Sequence, residues 1–236
     1  MNPDPRGEAT ADDVDDVDDL LDDDLLDDVQ PRRGQVEPDP RPVPLASQAR
    51  HRGALIEMLV SSLLSLTASL VLSIEAVNLA KDPYAQFSCD ISSKISCSTV
   101  GLSWQASLLG FPNAFLGLIA EPVVITLAVA ALGGVRFPRW FMLTAQVIYT
   151  IGLAFAYWLF YEAYFTIGAL CPWCLLVTVT TTLVFMSMTR INILDDNIRL
   201  GSWQPRVKRW LGYGADTWSV LIIFAIIAAM IVFRYV

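Results

Sequence analysis

Four cysteines are the residues of this 236-residue chain whose type and spacing suit redox chemistry. Cys171-Pro172-Trp173-Cys174 is a C-x-x-C that opens an apolar run, and Cys89 and Cys97 lie in a polar stretch between two other apolar runs. Disulfide exchange needs a thiolate within reach of a disulfide sulfur. A C-x-x-C at a helix start supplies one, because the unpaired N–H groups and positive end of the helix lower a thiol pKa. Pro172 suits the first helical turn, where its missing N–H costs nothing. Cys174 falls one turn deeper than Cys171. It can face an apolar oxidant inside a bundle, while Cys171, nearer water, faces another dithiol.

The elements that must position these thiols are membrane helices. The chain is 54% hydrophobic, with a mean hydropathy of +0.49. Five apolar runs, Ala54–Ala80, Ala114–Gly134, Trp140–Tyr161, Ile167–Met188 and Trp218–Tyr235, are each long enough to cross a bilayer. In hydrocarbon each backbone N–H and C=O must be satisfied within its own segment, so the runs are expected to be helices. The fold class is therefore an all-α integral membrane protein, a four-helix transmembrane bundle plus a fifth C-terminal transmembrane helix. The first run is too long for a signal peptide and has no small-residue cleavage site after it. Arg32-Arg33 stands too far ahead of it for a twin-arginine signal.

Lys and Arg set the orientation. One side carries Arg50, Arg52, Arg136, Arg139, Arg190, Arg199, Arg206, Lys208 and Arg209; the other carries Lys81, Lys94 and Arg234. The N-terminus is thus expected in the cytoplasm and the C-terminus outside, in a cell membrane. All four cysteines then lie on or near the oxidising face, where disulfides persist. Residues 1–50 carry 15 of the 24 acidic side chains and five of the 16 basic ones, a net charge of −10 in a chain of −8. The Asp-rich run at 12–28 and the prolines after it cannot bury enough apolar surface to offset their ordering entropy. The expected organisation is a disordered acidic segment over 1–53, a catalytic bundle over 54–190 with an extracytoplasmic loop at 81–112, a cytoplasmic linker over 191–217 and the fifth helix over 218–236. The acidic segment is a solvated leader or a docking strip for a basic partner; no nucleic-acid partner is expected.

Each feature has a plainer reading. A C-x-x-C can bind zinc, which wants four thiolates or added histidines. Cys89-x7-Cys97 is a poor zinc spacing, and His51, the only histidine, sits at the opposite membrane face; no metal is expected. Cys89–Cys97 alone could be a structural disulfide worth roughly 2.5 kcal/mol. Two dithiols on one face with no cysteine left over look more like a relay. Ser98–Gly110 reads as a short amphipathic helix lying along the membrane surface over a pocket, with Trp104 and Phe111 as anchors. Glu57, Glu75, Glu121 and Glu162 lie in or near helices, where ionisable groups are costly. Glu121, deepest in the second helix, either fixes packing or assists proton movement. The competing class is a non-enzymatic membrane scaffold with structural disulfides and an acidic recruiting tail. A transporter lacks support, since no internal repeat with paired broken helices is evident.

Cys89-x7-Cys97, Ser103 six residues on, Asn113 at the head of the second helix and Cys171-x-x-Cys174 together resemble the vitamin K epoxide reductase family, over about residues 55–190. The resemblance implies a four-helix bundle around a quinone pocket, with a quinone of the menaquinone or ubiquinone type near the C-x-x-C. It implies an oxidoreductase that reoxidises a thioredoxin-like protein and passes two electrons to the quinone, supporting disulfide formation. By position, Cys174 would adjoin the quinone, Cys171 would exchange with Cys97, and Cys89 would form the mixed disulfide with the partner. Asn113 would hydrogen-bond a quinone oxygen; its plainer reading is an N-cap. Ser103 would steady the loop near Cys97, or simply be a polar face. The chain departs from the vertebrate pattern at Thr178, where a tyrosine is usual, so quinone reduction is expected rather than epoxide reduction. It ends on a fifth apolar helix rather than a fused thioredoxin-like domain, so a separate extracytoplasmic partner is expected.

Overall fold

The computed structural model describes residues 45–235. The acidic run at 12–28 and the proline-rich stretch after it lie outside the described residues. Helix α1 (Leu45–Lys81) leads into a loop that carries a short helix α2 (Cys97–Gly101) and a 3-10 turn at Trp104–Ser107. Then come α3 (Ala114–Leu132), α4 (Arg139–Tyr161), α5 (Pro172–Leu194), α6 (Gln204–Gly212) and α7 (Ala215–Tyr235). No strand occurs among the described residues. Among the described residues five helices are long and apolar enough to cross a membrane: His51–Lys81, Ala114–Leu132, Arg139–Ile167, Pro172–Leu194 and Ala215–Arg234. The chain is an all-helical, multi-pass membrane protein.

Helix α1 is the hub, packed on α3 and α5, with α4 completing the bundle on the far side of α5. Its inner stripe is small and polar: Ser62, Ser65, Ser69 and Ser73 are all buried. Small residues let membrane helices approach closely, because lipid offers no hydrophobic drive to bring them together. Two of the hydroxyls turn back to α1 itself, Ser62 donating to the Met58 carbonyl (2.8 Å) and Ser73 to that of Ser69 (2.6 Å). Across the contact, a Cβ on Gly117 of α3 would collide with the Ser69 side chain, so the glycine is required by proximity. Away from the cysteines the bundle closes over Leu55, Met58, Leu127, Met142, Val184 and Met188. Helix α7 leans on α5, where Asp216 pairs with Arg190 (2.8 Å). At its other end the Tyr164 hydroxyl donates to the Met230 carbonyl (3.0 Å), and Arg234 lies over the Tyr164 ring.

Two local expectations change. The stretch Ser98–Gly110 is not one helix: α2 stops at Gly101, and Ser103 adopts an extended backbone (ψ 149°) before the 3-10 turn. The chain continues from α4 in a π-helical turn, Glu162–Ile167, and stops at Gly168, whose φ of +74° suits a residue without a Cβ. The fourth run accordingly starts its helix at Pro172 rather than near Ile167.

Candidate active site

The loop after α1 is organised by one carboxylate. Asp90 accepts the Phe87 N–H (2.8 Å), the Ser98 N–H (3.0 Å) and the Ser96 hydroxyl (2.8 Å). Burial alone would raise the Asp90 carboxyl, but these bonds outweigh it and hold the group at about 2. Ser96 also caps α2 by accepting the Thr99 N–H (3.1 Å). The two cysteines flanking this knot form a disulfide, Cys89–Cys97, with Cα atoms 5.8 Å apart.

Backbone pairing then carries the loop to the C-x-x-C. The Ser96 N–H donates to the Leu170 carbonyl (3.0 Å), and the Leu170 N–H to that of Lys94 (2.9 Å). Cys97 and Cys171 are consequently neighbours although 74 residues apart, with their sulfurs at 3.2 Å. Cys171 takes the N-cap position of α5, ahead of Pro172, and its sulfur accepts the Cys174 N–H (3.4 Å). Both C-x-x-C thiols are free, and Cys171 is 2% exposed. The Cys174 thiol, hydrogen-bonded to it, lowers the Cys171 thiol, and the Cys174 and Trp173 N–H groups add to this against the opposing effect of burial. A low-pKa sulfur about 3–3.5 Å from a disulfide sulfur is in near-attack geometry.

Cys97, Cys171 and Cys174 line one wall of a cavity of about 680 Å³, a volume suited to a drug-sized ligand. Its remaining lining is mostly apolar, including Leu116, Phe155 and Leu175, with Glu121 and Tyr149 at greater depth. Asn113 and Ser103 both reach it. Asn113 precedes α3 but makes no side-chain cap bond. Its Nδ2 donates to the Gln105 carbonyl (2.6 Å), leaving one N–H free, and its Oδ1 is buried without a protein partner. The Ser103 hydroxyl donates to the Val100 carbonyl (2.7 Å), closing the end of α2 beside Cys97. Thr178 lines the cavity, and its hydroxyl is spent on the Cys174 carbonyl (3.0 Å).

Sequence reasoning missed Gln105, and it noted Glu75 as a costly ionisable group without placing it at the site. Gln105, 3% exposed, holds Asn113 through its carbonyl and donates from Nε2 to Glu162 (3.1 Å), tying the loop to the π turn. A lone amide inside an otherwise apolar surface segment was its only signal. Glu75 of α1 has its Oε1 3.3 Å from the Cys89 sulfur. No basic residue stands three or four positions from Glu75 in the sequence, so no helical ion pair accounts for it. Glu75, Cys89 and Cys97 could together hold a metal ion, but the disulfide removes both thiolates from the donor set.

No curated protein matches the chain. The sequence profile of the vitamin K epoxide reductase family matches residues 56–189, which takes in α1 from its second turn within the membrane, the cysteine loop, α3, α4 and most of α5. With that match over more than half of its length, and with both dithiols meeting at the mouth of the bundle, the chain belongs to the vitamin K epoxide reductase family.

Proposed function

We propose that this membrane disulfide oxidoreductase reoxidises a separate extracytoplasmic thioredoxin-like protein and passes two electrons through Cys89/Cys97 and Cys171/Cys174 to a membrane quinone. The observation that carries the reading is the 3.2 Å contact between Cys171 and Cys97, with Cys174 on the cavity wall behind it. A quinone fits the cavity by volume, by its apolar lining, and by the free Asn113 N–H in a wall otherwise poor in donors. When bound, a quinone supplies an acceptor for two electrons and two protons.

The chain's own groups do the rest. A partner thiolate attacks Cys89, the more exposed of the loop pair at 6% against 3% for Cys97, once the turn around Asp90 yields. Cys97 leaves as a thiolate and attacks Cys171 of the inner disulfide, releasing Cys174. The second partner thiol frees Cys89, which closes on Cys97 and releases Cys171. Loop oxidised and inner pair reduced is the combination seen in the structure. Asn113 orients the acceptor, and Ser103 and Gln105 hold the loop over it. Thr178 offers no free hydroxyl at the vertebrate tyrosine position, which favours quinone over epoxide as the substrate. By the distribution of basic residues the cysteine end is extracytoplasmic and the N-terminus cytoplasmic.

The test replaces Cys174 with Ala and follows the oxidation state of exported thioredoxin-like proteins by thiol trapping. They are expected to accumulate reduced. Oxidation at the wild-type rate, or wild-type disulfides indifferent to quinone depletion, would favour a scaffold with structural disulfides.

A further inference from the structure

The electron path moves two protons as well as two electrons, and the only histidine, His51, lies at the opposite end of α1 from the cysteines. Resting on the reading above, we infer that Glu75 is the catalytic proton carrier for Cys89, acting as base when the loop disulfide closes and as acid when the partner releases Cys89.

The geometry is specific. Glu75 Oε1 is 3.3 Å from Cys89 Sγ, and the carboxyl is 8% exposed. One of its carboxylate oxygens and the two loop sulfurs lie within 4.8 Å of one another. Its Oε2 is buried and has no protein partner. A disulfide sulfur carries no hydrogen, so the Oε1 contact is a hydrogen bond only when the carboxyl holds the proton. That is the protonation expected just after Glu75 has taken it from Cys89. The other ionisable groups set against Glu75 are Asp90 of the loop and Cys171 and Cys174 of α5, all of which become or remain anionic during exchange. A neutral Glu75 therefore lowers repulsion at the moment Cys171 departs as a thiolate. Glu75 also lines the cavity with Cys171 and Cys174, so the proton it holds lies on the route the electrons take.

The step balances without a further reagent. Cys89–SH gives its proton to the Glu75 carboxylate. The sulfur attacks Cys97 of the Cys97–Cys171 disulfide, the Cys89–Cys97 bond forms, and the electron pair of the broken bond leaves on Cys171. Cys89 is oxidised and Cys171 reduced.

The test uses the full chain in nanodiscs. Fully reduced protein is mixed with quinone, quenched in acid at intervals and alkylated, and loop closure is read by mass, across pH about 6 to about 10. Glu75→Gln should slow closure about 10²-fold at neutral pH, within the general-base range. The deficit should shrink above pH about 8.5, where a thiol ionises unaided. Glu75→Asp, which keeps a carboxylate, should recover part of the rate. A wild-type rate in Glu75→Gln, or a slowing equal at every pH, overturns the inference while leaving the electron path standing. A wild-type loop that stays reduced under excess quinone brings down both. Should Glu75→Gln fail to fold, infrared difference spectra of the wild type decide, with no quinone present and the loop closed by ferricyanide, an oxidant that takes electrons and no protons. Closure should produce a protonated-carboxyl band, and its absence overturns the inference.

Discussion

The two ends of the bundle differ in how their polar groups are gathered. Away from the cysteines, Asn192 (0% exposed) donates to Gln146 Oε1 and accepts from Asn197 Nδ2, both at 3.0 Å. Gln146 donates on to Thr189 (3.0 Å), and Arg139 holds the Asn197 carbonyl (2.7 Å). The three side-chain amides are linked in a chain that ends on the Thr189 hydroxyl, and Met58, Met142 and Met188 fill the space around them. At the cysteine end Asn113 Oδ1, Glu75 Oε2 and Glu121 Oε2 are buried without a protein partner, and all three residues line one cavity; Ser187 Oγ, Arg190 Nε and Asp216 Oδ1, also buried without a hydrogen-bond partner, lie away from the cysteines and do not line it. A buried orphan costs about 1–3 kcal/mol, so three at one site mark the place where something other than this chain is accommodated. One end is closed for stability; the other holds its groups for exchange.

The sharpest way to break this comparison is at the junction of the two dithiols. Cys171→Ala removes the sulfur 3.2 Å from Cys97 and should abolish transfer from the loop to the inner pair, a loss of at least about 10³-fold in quinol formation. Thermal stability should hardly change. Trapping should then find partner proteins reduced and Cys174 as a lone thiol.

Two asparagines give the next test. Asn192→Leu strands Gln146 and Asn197 in the closed end, and should cost about 2–3 kcal/mol of stability while folded protein keeps its loop exchange rate. Asn113→Leu should do the reverse. It forfeits one bond to Gln105 but also removes an orphaned Oδ1, so stability should fall by no more than about 1 kcal/mol. The apparent KM for quinone should rise about tenfold with the loop exchange rate unchanged. Equal stability losses in the two variants would erase the distinction between the ends.

Much of this was legible in the sequence, for physical reasons. Hydrocarbon imposes length and apolarity, so all five spans could be read from runs such as Ala114–Gly134. Cys171 at the cap was likewise marked by Pro172. Other features were hidden because they are made by contacts far apart in the chain. The Cys97–Cys171 contact, which only the family resemblance implied, depends on Lys94, Ser96 and Leu170 pairing through backbone, which leaves no trace in side-chain pattern. The π turn at Glu162–Ile167 is apolar enough to read as loop or helix. Glu121 looked like packing or a proton group. Its Oε1 accepts from Ser65 (2.8 Å) and Tyr149 (2.9 Å), which fixes three helices, while Oε2 remains free beside the cavity.

The smallest expected effect concerns the carboxylate that knots the loop, and its sign follows from Asp90 sitting at about 2. A carboxyl lowered by folding adds loop stability that is fully present above its unfolded value, near 3.9, and is lost as pH falls through the folded value. The loop should therefore loosen between pH about 4 and about 2. Over that range, reduction of Cys89–Cys97 by a water-soluble phosphine should speed up a few-fold beyond the phosphine's own pH dependence. Asp90→Asn, which keeps one acceptor but cannot titrate, should reduce faster than wild type at neutral pH and lack the acid acceleration. The amide network at the other end contains no group that titrates there, so hydrogen exchange at Gln146 and Asn192 should follow only its intrinsic pH dependence. An acid response at those amides equal to that of the loop would show the two ends to be one cooperative unit, and the cysteine knot would then no longer be a separately openable element.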